Sequence, residues 1–431
     1  MTKSITLLKK LMVFCMKKIF KVTAMTAGLT IMRMLVGFVI AKVVAVYTGP
    51  TGIALLGQVQ STVASLTGIV NASTGAGVIR YTAEHKDKGF EACAPWWSAS
   101  LQWAVVLLGV IMPLGLLLSE HLSQWLFSSS GYSWLIIVTV MVLPFAVIGN
   151  LINSIINGQQ LYIRYVLMGA GAVFISGTVM VILIAKHNLQ GALLAASMQT
   201  GLIGVVMLLS SLRQPWLKVR YWWQWNVSTQ RKAIGGYILM AITTALTVPI
   251  ALVLVRKILV AEVGWEQAGQ WQAVWKISEV YLGVITMALG TYYLPKLSSL
   301  KDPASIRNEI NQTVKVILPL VGLMAFSIYL LRDFVITVLF TEAFRSSRDL
   351  FAIQLIGDVI KIISWLYAYP MLSRGCTKWF ISTEIIFSVI FVSLSYIFVP
   401  MFGVLGANLA YLINYTICML YIIFFVKPWL R

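Results

Sequence analysis

Gly57-Gln58-Val59-Gln60 returns as Gly269-Gln270-Trp271-Gln272, an offset of 212 in a chain of 431 residues. Trp125-Leu126-Phe127 is echoed by Val338-Leu339-Phe340 at an offset of 213, and Gly191-Ala192-Leu193-Leu194-Ala195 by Gly406-Ala407-Asn408-Leu409-Ala410 at 215. Gly, Ala and Leu are common in apolar chains, so each echo alone carries little. Three in the same order, with so small a drift in offset, indicate two tandem copies of one unit. In a membrane protein, paired halves point to a transporter with its site between them.

Composition places the chain in a membrane. Hydrophobic residues make up 59% and charged residues 11%, against roughly 25% charged in soluble domains. Stretches long enough to cross ~30 Å of hydrocarbon recur throughout. Twelve are assigned: about 22–46, 52–79, 95–118, 132–157, 162–185, 189–211, 233–255, 268–295, 311–331, 350–371, 379–400 and 403–426. They are read as helices, because a lipid-exposed backbone must satisfy its own hydrogen bonds. A β-barrel is excluded by continuously apolar runs that do not alternate. The expected fold class is therefore an all-α integral membrane protein, with about 12 transmembrane helices in two six-helix lobes. Its expected parts are a basic N-terminal tail (1–21), an N-lobe (22–213), an interfacial linker (214–232), a C-lobe (233–426) and a C-terminal tail (427–431).

A net charge of +19 raises the question of nucleic acid. The distribution of that charge answers it. With the N-terminus inside, 22 of the 33 basic residues fall in inward segments and six in outward loops, Arg256 and Lys257 among the six. The other five lie within spans. This bias is the positive-inside signature of a multi-pass protein with both termini cytoplasmic. Six spans per half make the copies parallel repeats about an axis along the membrane normal. The linker's tryptophans, interspersed with Lys218, Arg220 and Arg231, suit the headgroup level. No nucleic-acid partner is expected.

Catalysis is not expected either. There is no G-x-x-x-x-G-K-[ST] phosphate loop and no G-x-S-x-G elbow. His85, His121 and His187 are scattered, and the four cysteines show no paired spacing, so neither a metal nor a cofactor is indicated. The longest outer loop, about 330–349, is too short to hold a soluble catalytic domain.

Ionisable side chains inside spans are the candidates for function, since each costs ~2.5–3.5 kcal/mol at mid-bilayer. Arg33 sits mid-span. Lys42, nine residues on at 100° each, lies on the opposite face and is close enough to the outer end to snorkel. In the second copy Lys276 with Glu279, and Asp358 with Lys361, form i,i+3 pairs of opposite charge that share a helix face. Each pair is either a buried brace for the bundle or a polar wall for a sugar-bearing anion. Glu279, Asp358 and Glu384 are also the carboxylates available for ion coupling. Gln58, Gln60, Gln270 and Gln272 suit a cavity lining, and Trp275 and Tyr281 suit stacking on sugar rings; packing between helices is the plainer alternative for all six.

Five stretches carry a resemblance: Ala45-Val-Tyr-Thr-Gly-Pro-Thr-Gly-Ile53, Gly269-Gln-Trp-Gln-Ala-Val-Trp-Lys-Ile-Ser-Glu-Val-Tyr281, Tyr293-Leu-Pro-Lys-Leu-Ser298, Leu331-Arg-Asp-Phe334 and Arg348-Asp-Leu-Phe-Ala-Ile-Gln-Leu-Ile-Gly-Asp-Val-Ile-Lys361. From about residue 20 onward the chain resembles the Wzx-type flippases of O-antigen and enterobacterial common antigen units, in the polysaccharide-transporter branch of the MOP (MATE-like) superfamily. The resemblance implies movement of an undecaprenyl-diphosphate-linked oligosaccharide from the inner to the outer leaflet of a bacterial inner membrane. It also implies a cationic central cavity between lobes, with Arg33, Lys42 and Arg256 matching the family's basic positions and Glu279 and Asp358 its acidic ones. Lys276 departs from the common-antigen pattern, which suggests a different sugar unit such as an O-antigen repeat. The expected substrate-binding set is Arg33, Lys42, Arg256, Gln272, Lys276, Glu279, Asp358 and Lys361. Expected partners are the lipid-linked substrate, the bilayer, and the polymerase and chain-length regulator of the same pathway. The rival readings are a cation-coupled drug or small-molecule exporter on the same fold and a membrane glycan polymerase.

Overall fold

A computed structural model describes residues 2–293, 296–297, 300, 302–374 and 376–425; the side chains of 2–24, 26, 27, 291 and 372 are outside that description. The expected tail 427–431 lies outside the described residues. Among those described there is no strand, and nine helical runs are long and apolar enough to cross a membrane. Three of the nine are hinged. The run Thr2–Asn71 turns at Gly49 into α1 (2–48) and α2 (50–71). Tyr162–Ser211 turns at Asn188 into α5 (162–187) and α6 (189–211). Ser228–Ala288 turns at Gly264 into α7 (228–263) and α8 (265–288). With α3 (Phe90–Leu117), α4 (Ser133–Gly158), α9 (Pro303–Leu330), α10 (Phe351–Ser373), α11 (Thr377–Phe402) and α12 (Val404–Phe425), twelve long helices result.

The hinges reveal the duplication more sharply than the sequence echoes do. Gly49 (φ 62°) and Gly264 (φ 84°) stand at an offset of 215, and Asn188 (φ 49°) and Gly403 (φ 60°) repeat that offset without drift. Each reverses the chain through a positive φ that an L side chain resists, which is why three of the four are glycine. The same offset carries α5 onto α11 at both ends, 162 to 377 and 187 to 402. The Gln-Val-Gln echo has a shorter offset because its second copy begins closer to its hinge, at 269 after 264, than the first does, at 57 after 49. Both copies also carry a short helix after their third long one, Ser119–Phe127 and Arg332–Leu339. These are the Trp-Leu-Phe echo, and they form part of what reads as open loop in the sequence.

Several boundaries differ from expectation. The second span ends at Asn71, and a separate short helix, Ala76–His85, follows the turn. The seventh continues to residue 263, well past 255, because nothing between Arg256 and Gly264 breaks the helix. Arg256 and Lys257 therefore sit in a helix, not in an outer loop. The eighth ends at Ala288, followed by a wide turn, Leu289–Tyr293. The N-terminal run joins α1 as helix from Thr2. At α9, Asp302 accepts hydrogen bonds from the Ser305 amide (2.8 Å) and hydroxyl (2.9 Å), which hold its carboxyl below the usual range.

The linker docks onto α3. Trp216 is buried edge-on against Trp97 (6.5 Å between rings), and Trp222 stacks on Trp216 and donates to its carbonyl at 3.0 Å. Trp225 is largely exposed, at 83%, and Trp223 less so, at 39%. The lobes meet along α2, α7 and α8. At Gly269 a Cβ would lie 2.0 Å from the Pro50 carbonyl oxygen, so α8 crosses α2 at backbone contact.

Candidate functional site

The charged residues expected to share one central chamber divide into three groups. The first lies at the seam between lobes, near the Gly49 and Gly264 hinges. Arg256, on α7, is 1% exposed and reaches across to the other lobe. Its NH1 donates to Gln58 Oε1 (2.7 Å) and its NH2 to Ser61 Oγ (2.8 Å), both on α2, while Nε donates to Gln272 Oε1 (2.7 Å) on α8. A planar guanidinium with fixed donors suits such a three-way bridge. From the opposite lobe, Lys42 of α1 donates to the carbonyls of Thr337 (2.8 Å) and Phe340, at the C-terminal end of the short helix Arg332–Leu339. A cation is favoured at that end of a helix dipole. Lys257 is the counterpart of Lys42 in the register of the hinges and returns the contact, with its ammonium 4.2 Å from the Trp125 ring in the other short helix. The echo's first glutamines share a task too: Gln58 donates to the Leu126 carbonyl (3.1 Å) and Gln270 to that of Ala343 (2.7 Å). Arg256, Lys257 and Gln58 border a cavity of about 220 Å³ at this seam.

The second group lies wholly within the C-lobe. A cavity of about 480 Å³ is enclosed by α7, α8, α10, α11 and α12, and no N-lobe residue lines it. Lys361 projects over it inside a ring of aromatics, 5.6 Å from Trp275, 5.0 Å from Trp365, 5.6 Å from Tyr411 and 5.2 Å from Tyr415. Cation–π attraction of this kind is worth ~0.5–2 kcal/mol. Glu279 lines the cavity and is bonded to Lys276 at 2.9 Å, the one i,i+3 pair that forms as expected. Glu384 lines the opposite wall and accepts from Thr247 Oγ1 at 3.2 Å.

Asp358 does not pair with Lys361. It is fully buried, taking hydrogen bonds from Ser278 (2.6 Å), Tyr281 (2.7 Å) and Tyr411 (2.7 Å), with Gln354 at 3.3 Å. Three hydroxyls can satisfy a buried carboxylate, which leaves the lysine to the aromatic ring. Tyr281 is consequently turned away from the cavity, and Asp358 acts as the strut that holds Tyr411 in its wall.

The third group is Arg33 by itself. It is exposed on α1, with its guanidinium beside Gly169 of α5, and borders neither cavity. Trp365, Tyr411, Asn414 and Tyr415 all stand in the wall and are absent from the expected set. The stripe Tyr411, Asn414, Tyr415, Cys418 has the i, i+3, i+4, i+7 spacing of one helix face. That spacing was the available signal for α12. Among the described residues no group of His, Cys, Asp or Glu could hold a metal, and Cys93, Cys376 and Cys418 are free.

No family model matches the chain. It is 28% identical over 409 residues to a protein named Lipid III flippase from Escherichia coli (strain K12), covering 92% of this chain and 95% of that one. The same figures hold for the Lipid III flippase of Shigella flexneri. Among solved structures, an inward-facing multidrug resistance MATE family transporter of the MOP superfamily superposes with a TM-score of 0.74 at 15% identity, over 94% of this chain and 98% of that one. An outward-facing transporter of the same description superposes with 0.61 at 16% identity, over 95% and 96%. These relatives are named as flippases and transporters, and this chain, like them, is a multi-pass membrane protein. The chain is thus similar over nearly its whole length to the Lipid III flippases and is built on the MATE-type fold of the solved transporters.

Proposed function

We propose that the protein moves a lipid-linked oligosaccharide, an undecaprenyl-diphosphate-linked O-antigen-like repeat unit, from the cytoplasmic to the periplasmic leaflet of a bacterial inner membrane by alternating access. The observation that carries this reading is near-complete alignment with the Lipid III flippases. Sugars and a diphosphate cannot cross hydrocarbon unaided. A protein without a phosphate loop must offer them a polar path and rock its lobes around it. The seam supports that motion. Arg256 and Lys42 tie the lobes at the hinge end, where a short set of hydrogen bonds can break and re-form. The better superposition on the inward-facing relative agrees with a state closed at that end.

In this reading Arg33, the exposed cation of α1, meets the diphosphate by charge-assisted hydrogen bonds, and Lys276, Glu279 and Lys361 belong to the substrate-binding set. Arg256, Lys42 and Gln272 act by holding the closed seam. Glu384 is the acid placed for ion coupling, because Glu279 is paired with Lys276 and Asp358 is enclosed by hydroxyls. The pathway's polymerase and chain-length regulator receive the flipped unit. The decisive experiment deletes the gene and asks which leaflet holds the lipid-linked oligosaccharide. Accumulation in the inner leaflet, reversed by complementation, is the expected result; an unchanged distribution overturns the reading. A second reading, a cation-coupled small-molecule exporter, draws on the aromatic C-lobe cavity and the multidrug transporters of like fold. It predicts altered drug susceptibility with surface glycan intact.

A further inference from the structure

The geometry points to a division of labour inside the substrate site: the C-lobe cavity takes the uncharged saccharide rings of the cargo and excludes its diphosphate. This rests on the flippase reading above and adds to it which part of the substrate each region binds.

Charge is the first argument. Among the charged residues that line the cavity, Lys361 is one cation against two acids, Glu279 and Glu384. A diphosphate brought here would meet net negative charge in a setting of low dielectric, where like charges repel strongly. It would also have to strip Lys361 from its four aromatic neighbours. An anion site built on this lysine would offer a second cation free of a carboxylate, and Lys276 is bound to Glu279.

The wall chemistry is the second argument. Trp275, Trp365, Tyr411 and Tyr415 surround one side of the space. A pyranose ring has an apolar C–H face that covers such a ring and a hydroxyl rim that needs donors and acceptors. Two buried wall atoms have no hydrogen-bond partner, and they are of opposite sense: Trp275 Nε1, a donor, and Asn414 Oδ1, an acceptor. Trp275 is 7% exposed and Asn414 4%. A buried polar atom left unpaired is costly, so a ligand that supplies both partners is favoured here. A hydroxyl can both donate and accept, and it answers the two together. A carboxylate such as Glu384 likewise accepts from hydroxyls at a sugar rim. The volume of about 480 Å³ falls within the roughly 300–1,000 Å³ of small-molecule sites.

The test uses the full-length protein purified into nanodiscs. Three probes are titrated, with binding read by microscale thermophoresis: the phosphate-free oligosaccharide released from the host's own lipid-linked pool, inorganic pyrophosphate, and tetraphenylphosphonium. The oligosaccharide is expected to bind, and pyrophosphate is expected not to displace it. Asn414→Leu and Trp365→Ala should each weaken it about tenfold or more, while Trp365→Phe, which keeps a ring face, should restore most of the loss. Displacement by pyrophosphate, binding of the organic cation alone, or oligosaccharide affinity unchanged in both variants would each overturn the assignment. Leaflet accumulation in the deletion strain is read separately. If flipping is lost on deletion but Asn414→Leu and Trp365→Ala bind and flip normally, the subsite falls and the flippase reading stands. If deletion leaves the leaflets unchanged, the flippase reading itself falls.

Discussion

The two lobes share a backbone plan and differ in what it encloses. In the register set by the hinges, the C-lobe's Asp358, Lys361, Glu384 and Tyr411 correspond to Leu143, Ala146, Gly169 and Ala196 of the N-lobe. Leu143, at 0% exposed, belongs to an apolar cluster with Val70, Ala104 and Val147. At the offset of 212 that relates Gln58 to Gln270, Lys276 corresponds to Ala64. One copy is thus packed with small apolar side chains, while the other holds a cavity walled by charge and aromatics. The fold therefore does not create the site; the side chains at equivalent helical positions do. A duplicated scaffold can keep one half as a rigid body and use the other half for chemistry.

The largest expected effect comes from forcing the halves to match. Ala146→Lys places in the closed N-lobe core the residue that the C-lobe carries at 361. Without an aromatic ring or a cavity around it, it should cost ~2.5–3.5 kcal/mol on insertion grounds alone, seen as loss of folded protein at the membrane. Lys361→Ala, the reverse exchange, should leave the amount of protein unchanged and abolish surface glycan. Equal behaviour of the two variants would refute the asymmetry.

Next is the seam, where the C-lobe supplies Arg256 and the N-lobe's counterpart is the buried Ala41. Arg256→Ala strands Gln58, Ser61 and Gln272, and should cost about 3 kcal/mol at ~1–3 kcal/mol for each buried group left unpaired. A thermal-unfolding series in detergent would check this. Cross-linking across α2 and α7 should meanwhile report lobes that part more readily.

A smaller loss is expected at the helix crossing. Gly269 answers Gly57 in the echo, and a Cβ is crowded at both. Gly269→Ala should cost about 2 kcal/mol, because the methyl would meet the Pro50 carbonyl and overpacking costs ~1–3 kcal/mol. A melting temperature equal to that of the wild type would contradict the close approach of α2 and α8.

The hinges give the smallest differences. Gly264→Ala should destabilise by ~1 kcal/mol, the cost of a side chain at positive φ. Asn188→Gly should be neutral or slightly stabilising, because glycine adopts that conformation freely. Both are measurable by denaturation of the reconstituted protein, and a large loss for Asn188→Gly would point to a side-chain role at that hinge.

Much of the architecture was legible in the residues. Apolar stretches of spanning length, paired echoes and punctuation such as Gly49-Pro50 are local signals, and helices in lipid satisfy their backbone locally. The paired ions Lys276 and Glu279 were legible for the same reason, since three residues on one helix fix their neighbourhood. Asp358 and Lys361 have the same spacing and yet part. Their partners, Ser278, Tyr281 and Tyr411 for one and Trp275, Trp365 and Tyr415 for the other, come mostly from other helices.

What the chain determined by itself, then, is periodic and short-range: two copies of a six-helix unit in a membrane, with cations and acids concentrated in the second. What only the folded molecule decided is which of those charges meet. Arg256 moved from an expected outer loop to a buried bridge between lobes, and the cavity that Lys361 borders lies within one lobe rather than at the midline. The physical reason is that a charge in a low-dielectric interior takes whichever partners surround it most completely. Those partners are chosen by how helices far apart in the chain come to pack.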